Sequence, residues 1–295
     1  MTIINDTLAR GLKDRLWNEL DDLLDKNAHF VPDYQRTHKM KSGTRKGIEK
    51  LDHIVRLGLG RSVLAAAKCG SRASPSMRYA VFGGIKDSVN DWEEKTFHIN
   101  DISMDAFGNV KYHRTSIRIG EHAVCRVFQR HPEIYNSQTK EFEIMKIIPE
   151  FQSLAVQGHL MYSIFKYVDV VHKLPLKNIS VPFPSMTGIF LGSYNKEEEL
   201  IDVRTFVADH QLSSQQIALA KVLREHLSEN HSTMLPFILH QVGEDGFPDA
   251  MIAYYSALAK VAVSFSELVT WNDPDVVNKS ACRRAIVDFL ERFQS

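Results

Sequence analysis

The apolar residues of this chain change period between its first 70 residues and the stretch that follows, and that change limits the architectures open to it. Leu8, Leu12, Leu16, Leu20 and Leu23 recur at steps of four and three after the capping candidates Asn5 and Asp6, which is the spacing of one helix face. From Met77 onward, short β-branched and aromatic runs bounded by turn residues replace that pattern. The Ser, Arg and Pro cluster from Ser71 to Ser76 lies between the two regimes and reads as a linker. A pure helical bundle and a pure β-sandwich are both excluded. The expected class is α+β, a central antiparallel sheet flanked by N-terminal and C-terminal helical segments.

Before the linker, a second helix is expected from Arg45 to about Leu57, ended by Gly58 and Gly60, and a short third from Ser62 to Lys68, stopped by Gly70. The strands begin with Met77 to Phe82 before Gly83 and Gly84. Thr96 to Met104 and Val110 to Ile119 flank the turn residues Phe107, Gly108 and Asn109 and read as a hairpin. Glu121 to His131 returns to helical spacing, followed by helical stretches over Lys140 to Gln157 and His159 to His172, which Pro175, Pro182 and Pro184 terminate.

A second hairpin joins Thr187 to Ser193 with Leu200 to Val207. Ser213 and Gln216 then have the spacing of a capping box, with Leu212 and Ile217 placed for a hydrophobic staple. Helices over Ile217 to Leu227, Pro248 to Val269 and Ala281 to Phe293 complete the chain. These elements divide into a helical region 1–75, an α+β core 76–210 and a C-terminal helical region 211–295, all packing on one sheet. Phe237, Tyr254, Tyr255, Leu258, Val261 and Phe265 have the spacing of core or of an oligomer contact through the C-terminal helices.

Charge narrows the partners. The 36 Lys and Arg residues balance 36 Asp and Glu, so no global field steers the chain onto nucleic acid or membrane. Locally the balance breaks. The first 32 residues hold four basic and six acidic side chains, whereas Asp33 to Arg72 holds ten basic against three acidic. Within that block Arg36, Lys39, Lys41, Arg45, Lys46, Arg56 and Arg61 are candidates for contact with a nucleic-acid backbone, with Tyr34 available for stacking. The competing reading is a solvated face answered by the acidic first helix.

The three cysteines Cys69, Cys125 and Cys282 give neither a disulfide framework nor a paired zinc knuckle, and no leader or membrane-spanning run stands out. A cytoplasmic location is the expectation.

The run Arg118 to Arg130 carries the strongest chemical signal. A strand delivers directly into a helix on which His122, Arg126 and Arg130 advance by only about 40° per step of four, so they form one stripe. Imidazole beside two guanidiniums suits phosphodiester chemistry: His moves a proton near neutral pH, and Arg binds phosphate bidentately. The scheme calls for no metal and no cofactor. Against it stands a plain amphipathic helix whose arginines pair with Glu121, Glu133 or other carboxylates.

The pattern His-Ala-x-x-Arg-x-x-x-Arg, formed by His122, Ala123, Arg126 and Arg130, resembles the helix of BrnT-like and related RelE-superfamily ribonuclease toxins. The resemblance covers about a dozen residues. It implies a helix packed on an antiparallel sheet, RNA as substrate, an inhibitory protein partner, and further catalytic side chains on the strands. For that last role Thr205 is preferred over Arg204, the two pointing to opposite faces of one strand. The chain departs from those compact toxins in its length, its neutral charge, and the fifty or so residues of expected helix interposed between His122 and the second hairpin.

Other signals carry less. Gly58 to Ser62 lacks the lysine of a P-loop, and Glu244 to Asp249 lacks the ligand pattern of an EF-hand. The leading expectation is a metal-independent endoribonuclease acting as toxin or defence effector, with His122 as acid or base and Arg126 and Arg130 on the phosphate. The alternatives are a nucleic-acid-binding or regulatory protein on RNA or DNA, and a protein-interaction subunit.

Overall fold

The structure is a computed structural model, and it describes residues 4–27, 45–70, 75–87, 94–105, 107, 109–113, 117–155, 158, 179–198, 200–214, 216–218, 220–221, 224–225, 270–271 and 279–291. The fold is α+β. Helix α1 (Asp6–Asn27) starts at Asn5, whose Oδ1 accepts the Leu8 amide at 2.9 Å, and buries Leu12, Leu16 and Leu20 as their period requires. Helix α2 (Arg45–Leu59) ends in a 3-10 turn, Gly60–Ser62, with Gly60 at φ +53°.

Strands β1 (Val63–Gly70), β2 (Pro75–Asp87), β3 (Glu94–Asp105), β4 (Val110–His113) and β5 (Ile117–Ile119) follow, then helix α3 (Glu121–Arg130). After the two-residue strands β6 (Tyr135–Asn136) and β7 (Glu141–Phe142) come a 3-10 turn, Ile144–Ile147, and helical residues 148–155. Strands β8 (Ile179–Pro184), β9 (Gly188–Asn195), β10 (Leu200–Ala208) and β11 (Thr270–Trp271) precede helix α4 (Lys279–Glu291).

Among the described residues nine strands form one sheet in the order β1-β2-β3-β5-β10-β9-β8-β11, with β4 beside the other half of β3. Among the described strands each of its pairings is antiparallel except β5 with β10, where Ile117, Arg118 and Ile119 run parallel to Ile201, Asp202 and Val203. That junction seams the two expected hairpin systems into one sheet.

Alternation along the strands assigns each face its own core. Ala80 and Phe82 of β2 and Phe97 and Ile99 of β3 join Leu12, Leu16 and Trp17 of α1, Val124, Val127 and Phe128 of α3, Phe151, and Ala285, Ile286 and Phe289 of α4. The intervening Met77, Tyr79 and Val81 of β2 join Ile102, Met104 and Leu59 on the opposite face, beneath α2. There the Tyr79 hydroxyl donates to Asp52 Oδ1 at 3.0 Å, and burial together with that carboxylate pushes its phenol well above the usual tyrosine range.

Several expectations need correction. Ser62 to Lys68 is not a helix: Val63–Gly70 is a strand paired with β2, because sheet pairing outweighs the helical preference of Leu64 to Ala67. The hairpin β1-β2 also spans the expected boundary at residue 75. Gly83 and Gly84 lie inside β2 rather than after it.

Gly84 admits α1: a Cβ there would stand 2.4 Å from Trp17 Nε1. Gly84→Ala is expected to lower stability by about 1–3 kcal/mol through overpacking, read as a fall in denaturation midpoint. Within Lys140 to Gln157 only residues 148–155 are α-helical among the described ones, preceded by the small β6-β7 hairpin.

The second hairpin appears as β9 and β10, and the capping box forms: the Ser213 amide donates to Gln216 Oε1 at 2.9 Å and the Gln216 amide to Ser213 Oγ at 3.3 Å. Ile217 nevertheless stays 47 % exposed. The expected helices His159 to His172 and Pro248 to Val269 and the Glu244 to Asp249 turn lie outside the described residues. Among the described residues no helix is long and apolar enough to cross a membrane.

Candidate functional site

Helix α3 is fixed by its apolar arc. Ala123, Val124, Cys125, Val127 and Phe128 are all buried, which leaves His122 exposed and Arg126 and Arg130 at the margin. Cys125 is a packed thiol, pushed up by burial and so held away from the thiolate. Gly120 caps the helix, and its amide donates to Val203 O at 2.9 Å, tying the helix start to β10.

The stripe exists as spaced. Arg126 Nε donates to His122 Nε2 at 3.4 Å, so Nε2 serves as acceptor there. Arg126 Nη1 donates to Gln129 Oε1 at 3.0 Å, and Gln129 Nε2 to Asp6 Oδ1 at 3.4 Å, which ties the guanidinium to the start of α1. Arg130 has its Nε enclosed without a hydrogen-bond partner.

The carboxylates expected to neutralise the stripe are engaged elsewhere. Glu121 binds Lys13 Nζ at 2.9 Å, and Glu133 binds His131. Among the described residues, neither Arg126 nor Arg130 has a carboxylate partner.

Lys13 is the buried anchor beneath this helix start, pairing with Asp14 at 3.0 Å as well. Burial alone would lower its pKa, but hydrogen bonds and charge from Glu121 and Asp14 prevail and raise it above the usual lysine value. A folded-state pKa raised above the unfolded one contributes stability below the ordinary lysine range and loses it as pH rises through the folded value. Lys13→Met is therefore expected to flatten the alkaline fall of the unfolding free energy, measured by urea denaturation from pH 8 upward.

Thr205 does not share a face with His122. Val203 pairs with Gly192 but Thr205 with Leu191, so Arg204 is an extra residue in a β-bulge. Ile201 and Val203 before the bulge and Phe206 and Ala208 after it all join the α3 core, which leaves Thr205 on the opposite face with the sheet between it and His122.

That opposite face carries Arg118, whose Nη1 binds Glu198 Oε2 at 2.8 Å and whose Nη2 binds Asp202 Oδ2 at 3.0 Å. The hydrogen bond to Asp202 leads the causes that hold its guanidinium further above the usual arginine range. Arg118 is a strut of the β5-β10 seam.

Of the basic block, Arg36, Lys39 and Lys41 lie outside the described residues. Arg45 and Lys46 open α2, Arg61 sits in the turn after it, and Arg56 Nε is paired with Asp52 at 3.1 Å. Reading by steps of four passed over His131, one residue beyond Arg130, with Glu133 two residues on as the only local signal. No family model, curated protein or solved structure matches the chain.

Proposed function

We propose that the chain binds RNA along the α3 stripe and cleaves it as a metal-independent endoribonuclease, a cytoplasmic toxin or defence effector restrained by an inhibitory protein partner. One observation carries the reading: Arg126 and Arg130, a turn apart, have no carboxylate partner among the described residues and lie beside an exposed His122 whose Nε2 faces Arg126. Guanidiniums held by neutral partners at the edge of a packed face are suited to bidentate phosphate.

A phosphate seated there takes over the Arg126 donors and releases His122 Nε2. That nitrogen accepts the 2′-hydroxyl proton as the 2′-oxygen bonds to phosphorus, and returns the proton to the departing 5′-oxygen. The products are a 2′,3′-cyclic phosphate and a 5′-hydroxyl. RNA brings its own nucleophile, so the scheme needs no metal-activated water.

The test is purified protein on total RNA, with end analysis of the fragments. Cyclic-phosphate ends made by the wild type and not by His122→Ala support the reading; intact RNA after prolonged incubation overturns it.

The bulge that turns Thr205 away favours a second reading, because it leaves His122 without the strand hydroxyl expected to assist it. In that case the stripe binds RNA or DNA without cutting, and binding persists where cleavage is absent.

A further inference from the structure

Helices α1 and α3 lie side by side and are tied at both ends. Gln129 Nε2, in the last turn of α3, donates to Asp6 Oδ1 in the first turn of α1 at 3.4 Å. Two turns along α1, Lys13 Nζ binds Glu121 Oε2 at the start of α3 at 2.9 Å. Residue numbers rise along one helix as they fall along the other, so the pair is antiparallel. The thiol of Cys125, midway along α3 and raised first by burial, also feels the charges of Lys13, Glu121, Asp6 and Arg10. All four therefore stand along the same seam.

Asp6, Arg10 and Lys13 fall within about 40° of one another around α1 and form one stripe toward α3. His122, Arg126 and Arg130 form the other, and the groove between them has Cys125 on its floor. Four side chains link across it. Arg10 Nη2 binds Asp6 Oδ2 at 2.8 Å, Asp6 Oδ1 accepts from Gln129, and Gln129 Oε1 accepts from Arg126 Nη1 at 3.0 Å.

Charge is uneven along this groove. At one end Lys13 sits between Asp14 and Glu121, one cation against two anions. At the other, Arg10, Arg126 and Arg130 gather around a network whose anion is Asp6. An anion entering the groove settles at this second end. Arg10 is able to meet it, because its side chain is 71 % exposed and its Asp6 partner 63 %, an ion pair too solvated to hold it fast.

We propose that the groove between α1 and α3 is a track for single-stranded RNA, in which Arg10 binds the phosphate next to the one held by Arg126. The inference rests on the reading of α3 as an RNA site and extends that site onto α1. Gln129 and Asp6 are positioning residues that set the separation of the two guanidiniums. Gln129 is neutral, so it fixes Arg126 without cancelling the charge that attracts phosphate.

Two arguments make the strand single. Axes of packed helices lie about 8–10 Å apart, so the groove admits one backbone and not the paired strands of a duplex. Attack by the 2′-oxygen also requires the departing 5′-oxygen on the far side of phosphorus, and a stacked duplex holds the sugar away from that line.

The experiment measures fluorescence anisotropy of the full chain with a labelled oligouridylate and, separately, with a blunt RNA duplex of the same length, across a salt series. The wild type is expected to bind the single strand more tightly than the duplex. Arg10→Gln should make the single-strand slope of log affinity against log salt concentration shallower by about 0.7, one contact's worth. Asp6→Asn keeps an oxygen for Gln129 and removes the negative charge, so it should tighten binding. Thermal melts confirm that the variants fold, and should Arg10→Gln unfold, Asp6→Asn decides. Tighter binding of the duplex, an unchanged slope in Arg10→Gln, or weaker binding by Asp6→Asn overturns the proposal. If the Arg126→Ala, Arg130→Ala double variant flattens the slope and Arg10→Gln does not, the α3 site survives and its extension alone fails. A wild-type affinity indifferent to salt defeats both.

Discussion

Replacing His122 by alanine is expected to slow RNA cleavage by about 10²–10⁴-fold, the range a positioned general acid or base contributes. RNA affinity should hold, because Arg126 and Arg130 remain. The substitution carries little structural cost, since His122 is exposed and its hydrogen bond from Arg126, at 3.4 Å, is long. A folded His122→Ala that still cuts at the wild-type rate removes the imidazole from the mechanism. One that neither cuts nor binds assigns it to binding instead.

The largest stability effect is expected at Phe82. Its ring is fully buried, stacked 5.5 Å from Phe97 on the neighbouring strand and 4.5 Å from Phe151. Phe151 in turn lies 5.3 Å from Phe190, and Phe190 4.9 Å from Phe206, so one aromatic chain crosses the sheet from β2 to β10. Phe82→Ala opens a cavity at the head of that chain and is expected to cost about 3–5 kcal/mol. The stacked pairs contribute about 0.5–1.5 kcal/mol each beyond their buried area. Urea denaturation checks this, and a loss below about 1 kcal/mol, the cost of an ordinary substitution, would contradict the aromatic chain as a stability element.

Local pattern made part of this fold legible and tertiary pairing hid the rest. The leucines of α1, the β9-β10 hairpin and the Ser213-Gln216 box are set by neighbours a few residues apart, and each forms where its spacing places it. The turn between β3 and β4 belongs with them, because Asp105 Oδ1 accepts the Phe107 amide at 2.8 Å and the Asn109 amide at 2.9 Å. By contrast, Leu64 to Ala67 look helical in isolation and become strand only because β2 lies alongside.

The parallel seam of β5 with β10 joins residues more than eighty apart, and no short-range signal announces it. The site divides in the same way. The spacing of His122, Arg126 and Arg130 placed them on one stripe, but the single extra residue at Arg204 reversed the face of Thr205. The contact of His131 with Thr187 depends on a turn brought in from fifty-six residues away, and Glu133 alone could not have pointed to it.

The central claim is that Arg126 and Arg130 hold nucleic-acid phosphates, and the salt dependence of RNA binding tests it most directly. Each phosphate contact on a single strand contributes about 0.7 to the slope of log affinity against log salt concentration. Fluorescence anisotropy on a short labelled RNA should give a falling line for the wild type. The Arg126→Ala, Arg130→Ala double variant should be shallower by about 1.4, two contacts' worth, at equal fold stability. An affinity that does not fall with salt, or a slope unchanged in the double variant, would contradict the assignment of this stripe to RNA.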